Sequence, residues 1–223
     1  MATNVIVSAE AEHQEAPERA TVHLRIGMTG HDRDFVHNQT QSTLQDIKAN
    51  IEQLRGGESP AATWHAISGV NTWSYNSDQG MKWTEQVSVK VKFRDFTALG
   101  DWLNGILVRE AITLDYIEWT LTNERRKALN KELRQKAVQL AKEKAEQYAE
   151  AAGLHISSLK TVADTGFIAN RGGGGSNYFT ASRGGALAKV GGVPNDIGLG
   201  DSYEFAPEDV KLNVSVDAEF IAE

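Results

Sequence analysis

NERRKALNKELRQKAVQLAKEKAEQYAEAAG, Asn123 to Gly153, is the stretch from which the rest of the chain is read. Leu133, Ala137, Leu140, Ala141, Ala145, Tyr148 and Ala152 fall mostly three or four apart, which places them on one face of a helix. Thr122 or Asn123 can accept a backbone N–H at the start, and Glu124 sits near the positive end of the dipole. Gly153 before Leu154 is a stop signal, since glycine enters the left-handed region without a Cβ clash. No Gly or Pro interrupts the run, so one long helix is predicted.

The outer face of that helix is basic. From Glu124 to Lys144, eight cations (Arg125, Arg126, Lys127, Lys131, Arg134, Lys136, Lys142, Lys144) stand against three anions (Glu124, Glu132, Glu143), a local balance of +5 in a chain of −7. Such a face can dock an acidic partner or a nucleic acid. It is also the ordinary solvated side of a helix whose apolar stripe covers a sheet, and that plainer reading is preferred.

Strand patterns lie on either side. Val5, Val7, Ala9 and Ala11 alternate with Ile6, Ser8, Glu10 and Glu12, and Ala20, Val22, Leu24 and Ile26 alternate with Thr21, His23 and Arg25. The polar turn at Glu15-Ala16-Pro17-Glu18 between them suggests a hairpin with one wet face. From about Asp34, Val36, Thr40, Leu44, Ile47, Ile51 and Leu54 recur at helical spacing until Gly56-Gly57. A second hairpin follows, from Thr63 to Tyr75 and from Lys82 to Phe93, across a loop of about five residues at Asn76 to Gly80. Its second strand sets Trp83, Val87, Val89, Val91 and Phe93 on one face and Ser88, Lys90 and Lys92 on the other.

Asp95 can cap a short helix carrying Phe96, Leu99, Trp102, Leu103, Ile106 and Leu107. Thr113 to Leu121 and Ile156 to Ala163 read as strands. Between Gly166 and Gly200 lie eleven glycines, so a long mobile loop is expected at about 166–204. Val210, Leu212, Val214, Val216, Ala218 and Phe220 then alternate without a break with Lys211, Asn213, Ser215, Asp217 and Glu219.

The predicted order is β-β-α-β-β-α-β-α-β-β. It defines an α+β fold, a largely antiparallel sheet covered by three helices. No linker divides the chain, and residues 1–223 are expected to form a single domain.

Composition bounds the function. At 223 residues, 40% apolar and 24% charged, the chain has the balance of a soluble globular protein with room for a core. Nothing approaches the apolar length of a membrane span. The start, Met1 to Val7, shows no basic region followed by an apolar one, so a cytoplasmic place is expected as the sequence stands. A periplasmic or cell-surface place would need a leader removed from it. With no cysteine there is no disulfide framework and no thiolate chemistry.

Three stretches together resemble the SIMPL-domain family, named for an adaptor that associates with a pelle-like kinase. The first is Ile6-Val7-Ser8-Ala9-Glu10-Ala11-Glu12 with Ala16-Pro17-Glu18-Arg19-Ala20-Thr21-Val22. The second is the long helix, with Arg134-Gln135-Lys136-Ala137, Ala141-Lys142-Glu143-Lys144-Ala145 and Ala151-Ala152-Gly153-Leu154. The third is the closing strand, Phe205-Ala206-Pro207-Glu208-Asp209-Val210-Lys211-Leu212-Asn213-Val214-Ser215-Val216. The resemblance implies an α+β fold and a tendency, in some members, toward ring-like oligomers. Many bacterial members look exported, and no catalytic residues are assigned to the family.

His31, Asp32, Asp34 and His37 are potential metal ligands at close spacing, but they straddle a strand end and a helix start with Arg33 among them. A polar loop with Asp34 as the helix cap is the preferred reading. His23, His65 and His155 read as surface or edge residues. Gly172 to Gly175 followed by Ser176 lacks the lysine and following helix of a phosphate loop. No Gly-x-Ser-x-Gly elbow occurs, and no carboxylates are spaced as an acid/base pair. Trp64, Trp73, Trp83, Trp102 and Trp119 are expected to divide between core and surface, with Trp73 and Tyr75 marking an interface if they face outward.

The expected function is therefore a non-enzymatic, self-associating interaction or scaffold protein. It would form a homo-oligomer, with a protein partner possible, and would have no catalytic, cofactor-binding or metal-binding residues. The alternative is a nucleic-acid or acidic-ligand binding module using the basic face of helix 123–152, which the overall negative charge opposes.

Overall fold

In the computed structural model, which describes residues 2–168, 186–188 and 205–223, local signals place most elements where the sequence puts them. The order is β1 (Thr3–Glu15), β2 (Arg19–Gly30), α1 (Arg33–Arg55), β3 (Ala62–Ser77), β4 (Gly80–Phe93), α2 (Phe96–Ile106), β5 (Ile112–Thr120), α3 (Asn123–Ala151), β6 (Ile156–Asp164), β7 (Ala186–Ala188) and β8 (Val210–Ala222). The α+β class and the antiparallel pairing stand as expected. Most of the predicted glycine-rich loop lies outside the described residues. The three-residue β7 falls within that range and pairs with β5.

The strands divide between two sheets, each in its own compact unit. One unit holds Met1–Glu15, Thr122–Gly184 and Val210–Glu223, and the other holds Ala16–Leu121 and Gly185–Asp209.

The first unit is a three-stranded sheet in the order β1-β8-β6. The expected hairpin between β1 and β2 does not form. Instead β1 runs antiparallel to β8 over its whole length, from Thr3 opposite Ala222 to Glu15 opposite Val210. The alternation of β1 is real, but period two says only that a strand has two faces, not which strand lies beside it. Val7, Ala9 and Ala11 of β1 face the small residues Ala218, Val216 and Val214 of β8, while Val5 faces Phe220.

On that sheet lies α3. Thr122 caps it, its hydroxyl accepting the Arg125 N–H, and Gly153 ends it at φ 71° with Leu154 N–H donating to Ala149 O at 2.8 Å. Its buried residues are Leu129, Leu133, Ala137, Ala141, Ala145 and Ala149, one every fourth position. Four residues turn the helix about 400°, so this stripe advances about 40° per step, a drift that suits a twisted sheet. Alanine at four successive contacts lets the helix axis come close to the strands. Tyr148 and Ala152 fall outside the stripe and are exposed, and Leu140 is half-buried.

The second unit is a five-stranded sheet, β3-β4-β2-β5-β7. Val22, Leu24 and Ile26 of β2 and Val87, Val89, Val91 and Phe93 of β4 share one face and are buried. Helix α1 covers it with Val36, Leu44, Ile47 and Ile51, and α2 adds Leu99, Trp102, Leu103 and Ile106. The Trp102 ring lies 5.3 Å from Phe93, and Phe96 meets Trp119 edge-on at 5.1 Å. Asp95 caps α2 as predicted, accepting N–H groups from Thr97 and Ala98. The cap of α1 is Asp32, accepting from Asp34 and Phe35 N–H, and not Asp34, which sits in the first turn. Two residues earlier, the aspartate has the extended backbone an N-cap requires.

β2 and β4 approach unusually closely at Gly27. A Cβ there would stand 2.4 Å from the Glu85 carbonyl oxygen, so only glycine allows the two backbones to meet.

Candidate functional site

The residues that stand out chemically belong to the hairpin β3–β4. The expected five-residue loop is shorter: only Asp78 and Gln79 separate the strands, with Gly80 at φ 101° and the Ser77 hydroxyl donating to Gly80 O at 2.9 Å. The pairing thereby extends through Ser77, and β3 reaches 16 residues.

That strand is an edge. β4 pairs with one side of it, and no strand among the described residues pairs with the other. Its sequence, ATWHAISGVNTWSYNS, contains no Asp, Glu, Lys, Arg or Pro. Two irregularities interrupt its pairing, one between Ala62 and Trp64 and one between Ser68 and Asn71, where Gly69 takes φ 66°.

Pairing register fixes which way its side chains point. Trp64 is opposite Lys92, Trp73 opposite Thr84 and Tyr75 opposite Lys82, on the side of β4 that also carries Ser88 and Lys90. Trp64, Trp73 and Tyr75 are 46%, 44% and 46% exposed on the face turned away from α1 and α2. Trp102 and Trp119 are core. The tryptophans thus divide as expected, and Trp73 and Tyr75 do face outward.

On the same face, β2 contributes Thr21, His23 and Arg25, and β5 contributes Tyr116 and Glu118. Arg25 pairs with Asp115. His23 was expected at the surface, but it is buried because β2 is central and neighbours on β4 and β5 close over it. Its ring stacks on Tyr116 at 4.1 Å, and its Nε2 stands 3.6 Å from Glu118. Burial, helped by the Lys90 charge, holds the His23 pKa below its ordinary value despite Glu118. Burial likewise pushes the Tyr116 hydroxyl up, with Glu118 and Asp115 adding to the effect.

The helix side of the hairpin holds a recess of about 480 Å³ lined by Arg33, Asp34, His37, Gln41, Val70, Thr72 and Glu85. Glu85 is buried, and its carboxylate meets His37 Nδ1 at 2.9 Å and Gln41 Nε2 at 3.3 Å. Arg33 lies over the Trp83 ring at 5.2 Å. Sequence reasoning missed Glu85: it sits at a core-facing position of an alternating strand, and only the fold shows a histidine waiting there.

The residues weighed as metal ligands go separate ways. His31 Nδ1 contacts Met81 O at 3.0 Å, Asp32 caps α1, and His37 turns to Glu85. No group of three or more His, Asp or Glu among the described residues could hold a metal ion. His65 meets Arg55 Nη1 at 3.1 Å, and His155 exchanges two backbone hydrogen bonds with Glu223.

On α3, Lys127, Lys131, Arg134 and Lys136 are exposed and make no ion pair among the described residues. All five tryptophans lie in the other unit. No described helix is long and apolar enough to cross a membrane.

Two antiparallel sheets with three helices, in this order, make an α+β protein of two units whose segments alternate along the chain. The family model described as SIMPL, protein of unknown function (DUF541), matches residues 5–220. The chain belongs to the SIMPL family, and the match runs through both units. No curated protein matches it.

Proposed function

We propose that this protein is a non-enzymatic, self-associating interaction protein and that the free edge of β3 is where a second copy pairs. The carrying observation is a 16-residue edge strand without a charged residue or a proline. Soluble proteins normally blunt such an edge with lysine, proline or a short strand, because unpaired N–H and C=O groups recruit other strands. Here, among the described residues, such devices are limited to the irregularities at Ala62 to Trp64 and Ser68 to Asn71. The exposed Val70 gives a paired strand apolar surface to bury. A symmetric antiparallel pairing of two such edges satisfies both sets of backbone groups. The reading needs no reaction: the most buried carboxylate of the hairpin, Glu85, is engaged by His37 and Gln41.

The test is sedimentation velocity on the full chain across a concentration series. The expected result is a mass of two or more chains at micromolar protein, falling toward one chain in Val70→Lys with Ser74→Lys while the circular dichroism stays unchanged. A wild-type mass of one chain at every concentration overturns the proposal. The same edge could take a strand from another protein, so a heterologous complex recovered from cells and lost in the same variant would redirect it. A polyanion on the basic face of α3 draws less support, since the unit that holds α3 contains no tryptophan.

A further inference from the structure

We infer that the open face of the five-stranded sheet, as distinct from the edge of β3, binds single-stranded nucleic acid. Three features meet on it. Trp64, Trp73 and Tyr75 present exposed rings on the face opposite α1 and α2. Lys82, Lys90 and Lys92 stand beside them on β4, and none of the three makes an ion pair or side-chain hydrogen bond among the described residues. The groups between are small or uncharged: Ala66, Ser68, Asn71, Thr84, Gln86 and Ser88.

The order along the strip is what selects the ligand. Lys92 is the cross-strand partner of Trp64, its ammonium 5.8 Å from the ring, and Lys82 is the partner of Tyr75. Each end therefore offers a ring and a cation side by side. Trp73 and Tyr75 are two residues apart on one strand, so their backbone positions stand about 7 Å apart, a spacing an extended nucleic-acid strand can match. From Lys82 to Lys92 the strip runs about 33 Å at the rise of a strand.

A flexible polyanion with stackable rings satisfies both sets of groups at once. A duplex keeps its bases hidden from the rings, and an uncharged sugar leaves the lysines unanswered. Of the acidic groups on the face, Asp115 is engaged by Arg25, and Glu118 stands on β5, separated from the lysines of β4 by β2. The chain's net charge of −7 sets only the long-range field, while the local excess along β4 is positive.

The experiment is a tryptophan-fluorescence titration of the full chain with an oligothymidylate of roughly twelve nucleotides, within the usual range of site sizes. Inorganic polyphosphate and a blunt duplex serve as comparison probes. The expected result is quenching by the oligonucleotide, with log affinity falling against log salt at a slope of roughly −2 for three neutralised phosphates. Trp73→Ala and Tyr75→Ala should each weaken binding roughly tenfold with unchanged circular dichroism. The triple change Lys82→Gln, Lys90→Gln, Lys92→Gln should flatten the salt slope, and Lys127→Gln with Lys131→Gln and Arg134→Gln should leave it as it is. No quenching at low salt overturns the inference. So does polyphosphate binding as tightly while Trp73→Ala has no effect, which would mark a site for charge alone. Loss of binding in the α3 variant overturns it too and moves the site to that helix.

Discussion

The two sheets present their free edges in opposite ways. In the three-stranded sheet the edges are β1, with Glu10, Glu12 and Glu15, and β6, with Lys160 and Asp164. In the five-stranded sheet the edge β3 carries no charged residue over 16 positions. Charges on an edge make further pairing costly, because an incoming strand must desolvate them. An edge without them is left open to a partner. The proposed pairing therefore falls to the five-stranded sheet and not to the three-stranded one.

The helices differ in the same units. On the three-stranded sheet, α3 makes its central contacts with alanine, so the packing relies on close approach. On the five-stranded sheet, α1 uses Val36, Leu44, Ile47 and Ile51, so the packing relies on volume. These are two ways of reaching the same interior density.

The largest expected effect tests the volume-based side. Ile47→Ala empties a site with no exposure and should cost about 2–5 kcal/mol, read from the urea midpoint. A loss below about 1 kcal/mol would show that α1 does not hold the five-stranded sheet as described.

Next comes the opposite change on the other side. Ala141→Leu adds volume where the helix sits close to the strands and should destabilise by about 1–3 kcal/mol, by the same measurement. A neutral or stabilised variant would break the contrast between the two helices.

The smallest effect is conditional on pH. His23 has its folded-state pKa below its unfolded value of about 6.5. As the pH falls, the unfolded chain takes up the proton first. The contribution of neutral His23 to stability is therefore complete above about 6.5 and is lost as the pH falls through the folded-state value. Urea midpoints at neutral and mildly acidic pH should differ less in His23→Gln than in the natural chain. An equal difference in both would remove His23 as the source and leave the acid response to other groups.

Much of this was legible in one dimension. Helix α3 and its glycine stop, the Asp95 cap, the alternating β4 and the closing β8 follow from local spacing and from which side chains can bond their own backbone. The outward direction of Trp73 and Tyr75 was readable only as a condition, since alternation orders the faces of a strand without saying which one is covered. Glu85 and the buried His23 were not legible: each sits at an ordinary strand position, and its surroundings come from elements distant in the chain.

The sequence by itself determined the class, the element order and the apolar faces, because these depend on periodicity and capping within a few residues. Tertiary structure decided which strand lies beside which. It drew β1 away from its neighbour to β8, left β3 without a second partner among the described residues, and placed Lys82 and Lys92 beside exposed rings. Pairing is a competition among all strands for the best-matched face and edge, and no local pattern records its outcome.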